Sequence, residues 1–277
     1  MSQPVVIAVV LVAALLHASW NAIVKHSGDR LLTFAVVIGT GGVIAVPLAF
    51  FVTPPAAASH PHLATSAGVH LVYYAFLLLG YRYGDLGQVY PIARGTGPLV
   101  VALASGPLAA ERLGMLGAIG LLMVSGGIVA LAGRGSSKHA VGFAFGTGLC
   151  IGAYSLADGL GARQSGTPLG YIVWLHLAIG IPFASAVLIL KRKQVPRFLV
   201  THGRRAVIGG LIAVLAYSLV IWAMSETRLA YVASLRETSV VLAAIIGAVW
   251  LDEPFGKRRI MASVVVAAGI VLMSIPV

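Results

Sequence analysis

The sequence predicts an all-α integral membrane protein of ten transmembrane helices in two inverted five-helix repeats. Three observations carry this. Of 277 residues, 59% are hydrophobic and only 10% are charged. A soluble domain carries roughly 25% charged residues, so this chain cannot clothe a water-facing surface in charge, and its mean hydropathy is +0.97. Charge-poor windows recur at close to the length that a hydrocarbon slab of roughly 30 Å requires. Finally, "ARGTGPLVVALASGPLAAERLG" at 93–114 superposes without a gap on "LRETSVVLAAIIGAVWLDEPFG" at 235–256, with Arg94 on Arg236, Thr96 on Thr238, Glu111 on Glu253 and Gly114 on Gly256.

Taken in order, the first span covers 4–24. Met1-Ser2-Gln3 lacks a positive n-region, the run is longer than a signal-peptide core, and His17, Trp20 and Asn21 lie inside it, so it reads as a retained span. The next four cover 31–52, 63–81, 86–109 and 114–132. "GRGSSKHA" at 133–140 marks the mid-chain break and divides a first repeat, 1–135, from a second, 136–277. The second repeat supplies spans at 140–161, 168–190, 206–225, 229–251 and 260–275. Its longest polar connection is "KRKQVPRFLVTHGRR" at 191–205. Only helices satisfy their own backbone groups at this spacing, and the alternation of a membrane barrel is absent. Five spans per half is an odd number, so the second half must enter the membrane upside down, an arrangement that places a site at the repeat interface near the midplane.

The loops after odd-numbered spans hold Lys25, Arg30, Arg82, Arg134, Lys138, the basic run 191–205 and Lys257-Arg258-Arg259; those after even-numbered spans hold Arg112, Arg163 and Arg228. The positive-inside rule therefore puts both termini outside the cytoplasm. The net charge of +11 reads as cytoplasmic loops facing anionic membrane lipid, not as nucleic-acid binding. Cys150 is the sole cysteine, which excludes an intrachain disulfide and leaves a small hydrophobe in a helix. No Walker, HExxH or serine-elbow pattern is present. Asp158-Gly159-Leu160-Gly161 follows no strand, and no metal or other cofactor is expected. The pairs Gly142/Gly146 and Gly148/Gly152 have the spacing of close helix packing.

Four stretches, "LLHASWNAIVKHSGD", "YRYGDLGQVYPIARGTGPLVV…ERLG", "YSLADGLGARQSG" and "LRETSVVLAAIIGAVWLDEPFGKRR", resemble the EamA-type family of the drug/metabolite transporter superfamily over essentially the whole chain. The resemblance implies a ten-helix secondary transporter of two inverted repeats without a nucleotide-binding domain, and export over import. It leaves the substrate open.

Arg94 and Arg236 carry the most information. At about 1.5 Å per residue, they lie about 12 Å and about 10 Å along the fourth and ninth spans, which enter from opposite sides. Arginine at that depth costs at least ~2.5 kcal/mol and cannot easily snorkel. Two compatible readings stay open: structural anchoring through freed backbone carbonyls, or a cavity cation for an anionic or carboxylate-bearing substrate. Pro91, Pro98 and Pro107 predict a kinked or broken fourth span. Glu237, beside Arg236, is expected to be paired and ionised. Asp158 has no charged sequence neighbour before Arg163, making it the better proton carrier, unless it marks a wetted helix end. His17, Trp20 and Asn21 share one helix face, which should look into the bundle; Trp20 could instead anchor at the interface. Tyr73, Tyr90, Tyr154, Trp174, Tyr217 and Trp222 could together supply an aromatic lining. Glu111 and Glu253 each precede a helix and read as structural.

The expected protein is thus an inner-membrane secondary transporter, not an enzyme. It would move a small polar or amphipathic, carboxylate-bearing metabolite by alternating access. Arg94, Arg236, Trp20, Asn21, Tyr90 and Tyr154 would contact substrate, and Asp158, Glu237 and His17 would couple to protons. A monomer or weak homodimer is expected. The rival is an intramembrane enzyme or lipid-handling protein holding a phosphorylated lipid on its arginines.

Overall fold

Long apolar runs with few breakers fold as helices because each backbone group then bonds within its own segment. The computed structural model describes residues 3–24, 29–84, 86–130, 137–242 and 257–274, and among them there is no strand. The helices are α1 (Gln3–Val24), α2 (Arg30–Leu48), α3 (His60–Tyr83), α4 (Leu86–Ala109), α5 (Met115–Val129), α6 (Lys138–Gln164) and α7 (Pro168–Leu190). A short helix, α8 (Val195–Phe198), runs through the π-turn Leu199–Gly203 into α9 (Arg204–Glu226). Then come α10 (Leu229–Arg236), helical residues 238–242 (α11) and α12 (Lys257–Ser274). Side chains close several starts. Asp29 accepts from the Leu31 and Leu32 amides at α2, Ser137 from Ala140 at α6, and Thr167 from Gly170 at α7, where Pro168 pre-sets the first turn.

Against the ten expected spans, six helical segments among the described residues are long and apolar enough to cross a membrane: Gln3–Ile23, Arg30–Leu48, Ala57–Tyr83, Lys138–Gln164, Pro168–Leu190 and Val195–Glu226. Met115–Val129 and Ile260–Met273 are shorter apolar helices. α4 has the length, at 24 residues, but Arg94, three prolines and its glycines dilute its apolar character. The ninth predicted span extends beyond the described residues, and Glu253 and Gly256 of the internal match lie outside them.

One expectation is corrected. The prolines of α4 do not break it; the helix runs unbroken from Leu86 to Ala109 with all three inside. Proline removes one ladder bond each, including the one that would join Pro98 to the Arg94 carbonyl. Here packing against α6 holds the helix in register. The interruption falls instead at Glu237, between α10 and α11, where the Glu237 amide bonds back to Ser234 at 3.0 Å and ψ is −9°.

Without a hydrophobic drive between helices in lipid, close backbone approach makes the contacts. Gly42 of α2 lies against Gly180 of α7, and Gly120 of α5 against Gly269 of α12. Gly148 and Gly152 of α6 receive Ala93, Thr96 and Val100 of α4, as their spacing predicts, whereas Gly142 faces open space. The main pairings are α3 with α6, α4 with α6, α1 with α9, α2 with α7, α5 with α12 and α4 with α10. Large apolar side chains such as Leu103, Leu122, Leu149 and Val264 point outward, the surface a lipid-facing bundle needs.

Candidate functional site

Two features occupy the interior: a cluster of buried charges and an aromatic cavity. α4 and α10 pack together and bring Arg94 and Arg236 onto one carboxylate. Arg94 Nε lies 2.8 Å from Glu237 Oε2, and Arg236 Nε lies 3.6 Å from Glu237 Oε1. The side chains are 6%, 5% and 0% exposed, so none of the three charges is hydrated in the ordinary way. Arg94 Nη2 also donates to Ser239 Oγ at 2.8 Å, and its guanidinium stands 5.8 Å from the Tyr90 ring centre. Arg94 Nε is near Glu237 but misaligned for a hydrogen bond, and Arg236 Nε is too distant for one, so Coulomb attraction holds the cluster. Arg236 Nε and Nη2 are buried with no hydrogen-bond partner among the described residues. The backbone turn at Glu237 explains how one carboxylate meets both arginines: it leaves the α10 helix just as its neighbour Arg236 ends it.

The cavity, about 140 Å³, lies among α1, α2, α3, α6, α7 and α9. His17 and Trp20 enter from α1, His70, Tyr73 and Tyr74 from α3, Tyr154 from α6, His176 from α7 and Tyr217 from α9. Hydrogen bonds orient this wall. Trp20 Nε1 donates to His17 Nδ1 at 3.3 Å, and His70 Nδ1 donates to the Ser66 carbonyl at 2.9 Å while the ring stacks on Tyr154 with centres 4.0 Å apart. His176 Nε2 bonds Ser218 Oγ at 3.3 Å.

Asp158 sits behind this wall. It is fully buried, which removes the wetted-end reading. Tyr171 donates to Oδ1 at 3.1 Å, and Tyr217, itself a cavity residue, donates to Oδ2. No cation lies within ion-pair distance of Asp158 among the described residues.

Of the expected site residues, His17, Trp20 and Tyr154 line the cavity. Arg94, Arg236, Glu237 and Tyr90 gather in the charge cluster and do not line the cavity. Asn21 does neither: its Nδ2 donates to the His17 carbonyl at 2.7 Å. Among the proposed aromatics, Tyr73 and Tyr217 join the lining, Trp222 packs in the apolar core and Trp174 is 40% exposed. Sequence reading missed Phe34, His70, Tyr74 and His176. The one signal it offered was Ser66 and His70 four apart in an apolar helix, the spacing of the bond they make.

Glu111 is structural as expected, but for another helix. Its carboxylate does not cap α5. It accepts the Leu229 amide at the start of α10 (2.9 and 3.0 Å) and pairs with Arg163 at 2.8 Å. Arg163 reaches on to the Met224 and Thr227 carbonyls. Ala110, in left-handed backbone at φ 54°, aims Glu111 there. This latch ties the ends of α4, α6, α9 and α10.

A helical bundle with several segments long and apolar enough to cross a membrane, holding buried charges and an internal cavity, defines a polytopic membrane protein. Its sequence places it more narrowly. Residues 138–275 belong to the EamA-like transporter family, part of the drug/metabolite transporter superfamily. The chain is also 31% identical over 192 residues to an uncharacterised protein of Pseudomonas aeruginosa, covering 66% of this chain and 65% of that one, just under two thirds of the relative's length. A protein of known crystal structure matches 99% of this chain and 97% of its own with a TM-score of 0.76 at 17% identity. That likeness is one of fold.

Proposed function

We propose that the chain is a secondary transporter of the inner membrane that moves a small polar or amphipathic, carboxylate-bearing metabolite by alternating access, as an exporter coupled to protons. The observation that carries this is the cavity, built by α1–α3 of the first half and α6, α7 and α9 of the second, with two buried arginines on α4 and α10, helices that pack against α6. Rings from nine residues suit the body of an amphipathic solute, and the arginines suit a carboxylate. The helix pairings add support. Exchanging spans one to five with six to ten turns the α3–α6 pair into α1–α9, and leaves α2–α7, α5–α12 and α4–α10 unchanged. Two halves related by a two-fold axis in the membrane plane have that property. Asp158 is the proton carrier in this reading, since its carboxylate has hydroxyl partners but no ion-pair partner among the described residues and is joined to the cavity through Tyr217.

The test is a metabolite panel, uptake and efflux, in proteoliposomes under an imposed pH gradient. Accumulation of a carboxylate-bearing solute that collapses with a protonophore supports the proposal. A panel in which only uncharged or cationic solutes move overturns the carboxylate assignment, and movement indifferent to the gradient overturns coupling.

A further inference from the structure

We infer that the free edge of Arg236 is a binding site for one singly charged anionic group, a carboxylate or a halide, and that Arg94 is a positioning residue for it and not a ligand. The inference deepens the transport reading above but rests on buried charge alone.

The two arginines are not equivalent, although the internal repeat makes them mates. Arg94 is engaged on several sides, by the Glu237 carboxylate at 2.8 Å, by Ser239 Oγ at 2.8 Å and by the face of Tyr90. Arg236 has only the longer contact with Glu237, at 3.6 Å, and its Nε and Nη2 reach no acceptor among the described residues although the residue is 4% exposed. A buried guanidinium that forgoes acceptors loses the full desolvation cost of its N–H groups. Within ion-pair distance the cluster holds two positive charges and one negative, which leaves one positive charge to balance. Asp158, the other buried carboxylate nearby, accepts from Tyr171 and Tyr217 and lies outside ion-pair distance of either arginine, so it does not neutralise the cluster at contact. Valence follows from this: a single negative charge completes the cluster, and a dianion overshoots it.

Location fits a ligand arriving from the cavity. Ala93, next to Arg94, packs in one apolar cluster with the cavity residues Tyr154, Tyr73 and Tyr217, and α10 packs on both α4 and α6, so the charge cluster adjoins the α6 side of the cavity. α10 packs on α6, and each carries a buried serine hydroxyl without a hydrogen-bond partner among the described residues, Ser234 and Ser155. Guanidinium presents parallel N–H groups that match a carboxylate bidentately.

Radiolabelled benzoate and the purified full-length protein in detergent provide the test. Wild type should bind benzoate saturably at one site per chain. Arg236→Gln should weaken binding at least tenfold, and Arg236→Lys, which keeps the charge but not the fork, should fall between. Sulfate at equal concentration should not compete. Displacement by chloride would identify an inorganic-anion site; displacement by other monocarboxylates but not chloride would identify an organic one, and either supports the shared chemistry. Absence of saturable binding, or an Arg236→Lys protein that is helical by circular dichroism and binds as wild type, overturns the inference. Binding failure alongside gradient-driven transport would sink this site and leave the transport reading standing.

Discussion

Replacing Glu237 by glutamine removes one charge and keeps shape, so the change isolates what the carboxylate does between Arg94 and Arg236. Both guanidinium groups stay buried, at 6% and 5% exposure. They were bridged by contacts of 2.8 and 3.6 Å through a single carboxylate, which puts the two nitrogens no more than about 9 Å apart. Their mutual repulsion, no longer offset, is about 2 kcal/mol at an effective dielectric of about 20. Loss of the two attractions comes on top, while the amide oxygen keeps part of the hydrogen-bonding capacity. Breaking a buried ion pair by removing one partner costs about 3–5 kcal/mol in general, and that is the expected loss here. Thermal unfolding in detergent, followed by intrinsic fluorescence, should show a fall in Tm of roughly 10 °C. Adding Arg236→Gln to Glu237→Gln should recover part of the loss, because the second change removes the charge that the first left unpaired. A Glu237→Gln protein within about 0.5 kcal/mol of wild type would refute the reasoning: it would mean that water or another anion already neutralises the cluster.

Cutting the latch with Glu111→Gln should cost about 1–3 kcal/mol, as Leu229 and Arg163 lose a charged acceptor; in a double-mutant cycle with Arg163→Gln the two losses should be less than additive, and strict additivity would show that the residues do not act together. At the other latch, burial pushes the Asp29 carboxyl up, but its bond to Lys191 and the Leu32 and Leu31 amides outweigh this and hold it below the usual range. Its stabilisation is therefore present above the unfolded value of about 3.9 and is lost as pH falls through the lower folded value. Asp29→Asn should cost up to about 1 kcal/mol at neutrality, where the pair's contribution is fully present, and nothing once pH lies below the folded value, so the acid limb of the stability profile flattens; a loss at neutrality well above about 1 kcal/mol would be too large for a partly exposed pair. Asp158→Asn should abolish gradient-driven accumulation in proteoliposomes while sparing substrate exchange; an unchanged pH dependence would remove Asp158 from the coupling.

What the sequence determines by itself is helical class and membrane residence, because hydropathy and run length are local properties that need no tertiary partner. It also shows which polar residues are anomalous: Arg94, Arg236, Glu237 and Asp158 stand out against apolar neighbours, and the internal match pairs the two arginines before any coordinates are seen. Tertiary structure decided which of these meet. Glu237 looks like a private partner of adjacent Arg236, yet the turn after α10 gives its shorter contact to Arg94, far away in the chain. Three prolines announce a break in α4, yet the helix is whole and the break falls at Glu237, because packing on α6 outweighs one missing ladder bond per proline. Glu111 sits just before α5 but serves α10, and His70 and Tyr74 of α3 and His176 of α7 reach one cavity. A helix periodicity tells which residues share a face of that helix. It does not tell which other helix that face will meet, and buried charge is a property of the meeting.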